Sequence, residues 1–211
     1  MIIAVDGPTA SGKGTIAKAL GRHFGLPHMD TGLLYRAVGY QVALNGGDPD
    51  SEADALAACN FPEELLGHPD LRSEATGGLA SRVSVHPAVR AALLARQRDY
   101  AALPGGAVLD GRDIGTVICP AAEVKLFVTA SVEARALRRW SEMQQRGESH
   151  TLAEIEADLR KRDERDRTRA TAPLVAAADA VVLDTSELDK DQAIAAAIEA
   201  VNAATGQQPC P

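Results

Sequence analysis

Gly7-Pro8-Thr9-Ala10-Ser11-Gly12-Lys13-Gly14-Thr15 follows the apolar run Ile2-Ile3-Ala4-Val5 and opens directly into a helical pattern, Gly12 to Phe24. The order strand, glycine-rich turn, helix is what separates a phosphate cradle from a chance glycine match. Glycines let backbone N–H groups turn inward, the helix N-terminus adds the positive end of its dipole, and Lys13 brings a mobile cation to the β- and γ-phosphates of a triphosphate. The usual pattern has Ser or Thr immediately after the lysine. Here Gly14 stands there and Thr15 follows, which makes Thr15 the candidate Mg²⁺ contact.

Working outward, Ala107 to Leu109, Val124 to Val128 and Val181 to Leu183 read as further short buried strands. Helical patterns cover Gly32 to Leu44, Ser51 to Cys59, Ala75 to Val83, Ala88 to Leu103, Val132 to Arg146, Leu152 to Arg167 and Lys190 to Ala203. Such an alternation predicts a three-layer α/β fold with a central parallel sheet. Gly46-Gly47-Asp48-Pro49-Asp50 and Gly67-His68-Pro69-Asp70 punctuate a long helical insertion, read as a subdomain. Arg146-Gly147-Glu148-Ser149-His150 breaks a second helical pair, where Thr151 and Glu154 have the spacing of a capping box, and this hairpin has the form of a lid. The expected division is a core of 1–31, 104–138 and 169–205, an inserted subdomain at 32–103, a lid and arginine-rich helix at 139–168, and a tail at 206–211.

With 211 residues, 45% of them hydrophobic and 24% charged, the chain has ordinary globular usage and enough length for one substantial core. A formal net charge of −7 argues against binding nucleic acid by bulk electrostatics, so any nucleotide must be gripped locally. Cys59, Cys119 and Cys210 have no metal-ligand or disulfide spacing, which suits a reducing cytoplasm. No apolar stretch approaches a membrane span, and the first residues form no signal peptide, so a cytoplasmic protein without a membrane partner is expected.

Three more elements carry chemistry. Asp30-Thr31-Gly32-Leu33-Leu34-Tyr35-Arg36 opens the second helix, with Thr31 placed to cap it. Asp110-Gly111-Arg112-Asp113 follows a buried strand, at the end of the sheet where ligands gather in open α/β folds. In Arg162-Asp163-Glu164-Arg165-Asp166-Arg167-Thr168-Arg169, residues 162, 166 and 169 share one helical face. Alone that face reads as solvated ion pairs; beside a phosphate loop it reads as arginines converging on a transferring phosphate. A P-loop by itself fits an ATPase, a GTPase switch or a small-molecule kinase, and the Asn-Lys-x-Asp sequence of guanine readers is missing.

Together these stretches, with Ser81, Arg90, Arg96-Gln97-Arg98, the run Asp110 to Thr116 and the run Arg162 to Leu174, resemble the bacterial cytidylate kinase family of nucleoside monophosphate kinases. The resemblance implies a P-loop NTPase core with an inserted monophosphate-binding subdomain and a helical lid. It implies transfer of the ATP γ-phosphoryl group to CMP, with dCMP as a second acceptor, by a monomer using Mg²⁺. Gly7 through Thr15 would bind ATP and Lys13, Arg112, Arg162 and Arg169 would be catalytic. Arg36, Arg112 and Arg169 would hold the acceptor phosphate, Arg162 and Asp166 would reach the ribose, Thr31 and Tyr35 would line the acceptor pocket, and Ser81, Arg90 and Asp113 would read cytosine. Two departures stand out: residues 60–76 are too short for the β-hairpin of many members, and Ala10 replaces a loop glycine, which is tolerable if its backbone stays at negative φ. A kinase of another small metabolite and a non-catalytic nucleotide-binding regulator remain the competing readings.

Overall fold

In the computed structural model, which describes residues 1–145, 147 and 149–206, five parallel strands form one sheet: β1 (Ile2–Asp6), β2 (His28–Asp30), β3 (Ala107–Gly111), β4 (Val124–Thr129) and β5 (Val181–Asp184). Their order is β2-β3-β1-β4-β5, so the first strand of the chain is central. It has neighbours on both sides and apolar layers on both faces. Ile3 and Val5 pack with α1 (Lys13–Phe24) and α8 (Lys190–Thr205), while Ala4 faces Leu109, Ile114 and Ala101 of α5 (Pro87–Ala101). Burial on both faces is why the run reads as continuously apolar instead of alternating.

Two strands differ from the sequence reading. β2 escaped it because His28-Met29-Asp30 is three residues long and mostly polar, too short for any periodicity. β5 was expected to be buried, but it is a sheet edge with Val181 and Val182 exposed, and only β4 covers one side of it. Its β-branched residues reflect strand preference, not burial.

Between β2 and β3 the chain builds α2 (Thr31–Leu44), α3 (Glu52–Ala57), two 3₁₀ turns (Glu63–Gly67 and Pro69–Arg72) and α4 (Glu74–Val83). With α5 they enclose a second core that includes Leu34, Val38, Val42, Leu71, Val83 and Leu93. Residues 60–76, all of them described, contain the 3₁₀ turns and the start of α4 and no strand. A third small core, made of Ala136, Met143, Ile155 and Leu159, joins α6 (Val132–Gln145) to α7 (Leu152–Thr168). The expected capping box forms at Thr151 and Glu154. Arg146 and Glu148 of the lid turn, and 207–211 of the tail, lie outside the described residues.

Candidate active site

A cleft of about 770 Å³ runs along the C-terminal ends of the strands, between α4 on one side and α6 and α7 on the other. At one end is the phosphate loop. Gly7 has φ 154°, and a Cβ there would lie 2.0 Å from the Val128 carbonyl oxygen, so the loop can leave β1 against β4 only without a side chain. Ala10 overturns the expected negative φ: it sits at φ 61°, in the left-handed region. That conformation costs an L-residue roughly 1–2 kcal/mol. The strain is held at the loop's centre, where the preceding carbonyl, that of Thr9, is gripped by Arg135 Nη1 at 3.2 Å.

Lys13 keeps part of its surface open to the cleft but is enclosed at longer range. Its Nζ donates to the Pro8 carbonyl at 3.2 Å. Burial, and then the Arg112 guanidinium, pull its pKa down to about 8, against the carboxylates of Asp110, Asp30 and Asp166. Thr15 lines the cleft from the first turn of α1, and its hydroxyl is a hard oxygen donor of the kind Mg²⁺ accepts. Among the described residues no group of three or more His, Cys, Asp or Glu side chains is arranged to hold a metal.

Arg112, at the end of β3, spans the cleft: Nη2 donates to Thr9 Oγ1 at 2.6 Å, and Nε to Asp166 Oδ2 at 2.9 Å. Asp166 thus anchors an arginine through one carboxylate oxygen. Thr31 is not the cap of α2. Asp30 occupies that position without a side-chain bond, and the Thr31 hydroxyl donates to the Asp110 carbonyl at 2.8 Å, tying α2 to β3. The 162–169 face is not a solvated one: Arg162, Asp166 and Arg169 are all buried. Nor is it wholly helical. Arg169 caps α7 with extended backbone (φ −59°, ψ 138°), and the Asp166 carbonyl accepts from Leu174 N–H at 2.8 Å. Bent out of the helix, Arg169 reaches Ala172 O through Nε at 2.6 Å, while its buried Nη2 has no hydrogen-bond partner among the described residues. Burial, then the like charge of Arg90, hold its pKa below the ordinary arginine value.

The other sequence candidates converge on the same cleft. Arg90 Nη2 donates to Asp113 Oδ2 at 2.5 Å, both side chains are buried, and the Arg90 guanidinium lies 5.5 Å from the Tyr35 ring centre. Arg36 donates from Nη1 to the carbonyls of Leu71 and Ser73 at 2.8 and 2.9 Å. Ser81 is engaged: its hydroxyl accepts from Arg165 Nη1 at 2.5 Å. Arg162 donates from Nε to Asp158 at 2.7 Å and from Nη2 to Glu74.

Sequence reasoning passed over several residues. Glu74, in the first turn of α4, bridges Arg139 and Arg162 across the cleft. Burial works against its ionisation, but the guanidiniums of Arg162, Arg139 and Arg36 outweigh that and hold its carboxyl below the usual range. An acid in a first turn reads as helix-dipole complement, so nothing local signals the bridge. Arg135 is fully buried against Asp163, with bonds of 3.0 and 2.6 Å. Arg138 links α6 to the turn after β5 through Thr185 and the Leu188 carbonyl. Asp6 did carry a signal, a carboxylate ending a buried strand directly before the loop.

Comparison with known proteins gives a consistent picture. The family model described as cytidylate kinase matches residues 3–203. A cytidylate kinase of Cereibacter sphaeroides is 57% identical over 199 residues, covering 94% of this chain and 94% of its own. One from Xanthobacter autotrophicus is 57% identical over 203 residues, 96% of this chain and 98% of its own. Among solved structures, an uncharacterized protein from Eubacterium ventriosum superposes with a TM-score of 0.56 at 15% identity, over 96% of this chain and 98% of that one, a likeness of fold alone.

Proposed function

The chain belongs to the cytidylate kinase family, an ATP-dependent nucleoside monophosphate kinase that phosphorylates CMP, and on that premise we propose how its residues divide the reaction. Gly7 to Thr15 hold the ATP phosphates, and residues 32–103 and the cleft wall of 139–168 hold the acceptor and close over the donor. The observation that carries this division is the convergence, beside the phosphate loop, of Arg36, Arg112, Arg162 and Arg169 with the buried Arg90–Asp113 pair.

CMP phosphate, whose second pKa is about 6, is mostly dianionic at neutral pH and needs no general base. The task is to bring two anions together in line and exclude water. Arg36, Arg112 and Arg169 hold the acceptor phosphate, the buried Nη2 of Arg169, which has no hydrogen-bond partner among the described residues, being a donor suited to it. An acceptor oxygen forms a bond to the γ-phosphorus as the bond to the β–γ bridging oxygen breaks, giving CDP and ADP. Lys13 and Arg162 stabilise the charge that moves onto the leaving side. Mg²⁺, when bound, adds screening of the donor phosphates, and Thr15 is the residue that holds it. Thr15→Val is expected to raise the Mg²⁺ concentration for half-maximal activity about tenfold, with most of kcat restored at saturating metal.

At the base, Asp113 accepts from the cytosine amino group and Arg90 donates to N3 and O2, while uracil presents an acceptor and a donor in the reversed places. Ser81, whose hydroxyl accepts from Arg165, keeps its own O–H and a second lone pair for the base. Each buried mismatch costs ~1–3 kcal/mol, so CMP is favoured over UMP by at least about tenfold in kcat/KM. Arg162 and Asp166 reach the ribose, and dCMP is a second acceptor. All these groups come from one chain, so a monomer suffices, and a cytoplasmic location fits the substrates; among the described residues no helix is long and apolar enough to cross a membrane. A panel of CMP, dCMP, UMP and purine monophosphates with ATP tests the assignment. Equal rates on CMP and UMP would remove Asp113 and Arg90 from base recognition.

A further inference from the structure

Asp6 ends β1 and is followed by Gly7, yet its carboxylate is buried behind the cleft wall and does not line it. It makes no ion pair among the described residues. Instead Oδ1 accepts from Ile114 N–H and Oδ2 from Gly115 N–H, both at 2.8 Å. Those are the first two amides of the Ile114–Ile118 turn, whose N-cap residue is Asp113.

An aspartate at an N-cap ordinarily folds its own carboxylate back onto amides two or three residues ahead. Asp113 does not: it makes no side-chain cap bond, and its backbone sits at φ −146°, ψ 25°. Its carboxylate faces Arg90, 2.5 Å away, with Arg169 Nη2 at 3.9 Å. Asp6 thus takes Gly115, one of the two amides that Asp113 would itself cap, together with the Ile114 amide, while the cap residue faces the cleft. We propose that Asp6 is a positioning residue for base recognition: by accepting the turn's amides it keeps Asp113 off its own backbone and turned towards Arg90 and the acceptor base. This rests on the reading of Asp113 as a base contact.

The surroundings of Asp6 make the arrangement responsive to pH. Burial lifts its pKa to about 6; the Gly115 and Ile114 amides pull the other way, Asp113 adds to the rise and Lys13 opposes it. Cys119, whose thiol burial pushes up, feels the same carboxylate. The stem of Lys125 covers Gly115, with Cδ 3.1 Å from where a Cβ would lie, but its ammonium is committed to Asp179 at 2.7 Å. Protonation puts a hydroxyl against an amide donor, and Asp113 then gains by capping its own turn.

The test is the ratio of kcat/KM for CMP to that for UMP, because ionisation of the acceptor phosphate cancels in it. At neutral pH Asp6→Asn is expected to lower the ratio about five- to tenfold while the KM for ATP moves less than about twofold, and Asp113→Asn to lower it at least as far. In the unmodified protein the ratio is expected to fall as pH drops through about 6, and in Asp6→Asn to be low and flat over that window. If Asp113→Asn lowers the ratio and Asp6→Asn does not, or if Asp6→Asn slows both acceptors alike, the inference fails and the base reading stands. If Asp113→Asn leaves the ratio intact, the base reading itself fails. Should Asp6→Asn not fold, the profile of the unmodified protein decides, and a ratio constant down to about pH 5 overturns the proposal.

Discussion

Replacing Arg169 with Met separates binding from stability in a way that replacing Arg135 with Met does not. Both side chains are almost fully buried. Arg135 is satisfied: Nε donates to Ala130 O at 2.9 Å, Nη1 to Thr9 O and Asp163 Oδ1, and Nη2 to Asp163 Oδ2 at 2.6 Å. Its removal strands a buried carboxylate, which costs about 3–5 kcal/mol. Arg169 has one bond to Ala172 O and a buried Nη2 with no hydrogen-bond partner among the described residues. Losing that bond and the 3.9 Å ion pair with Asp113 costs about 2 kcal/mol, while removing a desolvated cation with an unsatisfied Nη2 returns about 1–3 kcal/mol. The nucleotide-free Arg169→Met protein is therefore expected to lie within about 1 kcal/mol of the parent in urea unfolding. Its KM for CMP, having lost charge-assisted contacts of about 1.5–3 kcal/mol each, should rise about 10- to 100-fold. At CMP near 100 times the parent's Kd the parent gains about 2.7 kcal/mol of stability by linkage, and the variant at the same concentration gains only about 0.4–1.4 kcal/mol. Equal destabilisation of the two variants, or an unchanged KM in Arg169→Met, refutes the reasoning.

Lys13, with its pKa brought down to about 8 chiefly by burial, should take up a proton when the ATP phosphates place further negative charge beside it. Calorimetry at about pH 8 in buffers of different ionisation enthalpy should find about 0.5 proton taken up per ATP, and none attributable to this site in Lys13→Met, whose kcat should fall by about 10²–10³. For stability the sign follows from a base whose folded pKa lies below its unfolded value: the nucleotide-free protein gains stability as pH rises from about 8 towards 10.5, and Lys13→Met lacks that gain. Ala10→Gly relieves the left-handed strain but frees the unfolded chain, for a net stabilisation of about 0.5 kcal/mol by urea midpoint. A loss of stability there would mean that the Ala10 methyl packing outweighs its backbone strain.

The parts of the molecule that were legible in the sequence are those fixed by local pattern. The glycine-lysine loop sits between a strand and a helix as its composition demands, and the Thr151–Glu154 box forms because its partners are three residues apart. The parts that were not legible depend on distant partners. Nothing around Glu74 announces Arg162, 88 residues away, and nothing around Thr9 announces Arg112. Thr31 shows the ambiguity at one atom, since a hydroxyl before a helix serves equally as a cap or as a tie to a neighbouring strand. Ala10 erred in the opposite direction: a residue type that avoids positive φ was forced there by the cradle's geometry.

The central place of β1 has a consequence for how the molecule is made. Ile2 pairs with Ala107 and Ile3 with Val124, so during synthesis β1 waits 105 and 121 residues for its two neighbours. Closing loops of that length is entropically costly and slows folding. The insertion between them has a helical core of its own, drawn from residues 34 to 93, and can begin to gather while the front of the chain is still unpaired. A nascent chain interrupted before β4 would carry the complete glycine-lysine sequence and no anion site, because the shape of that loop is borrowed from strands not yet made.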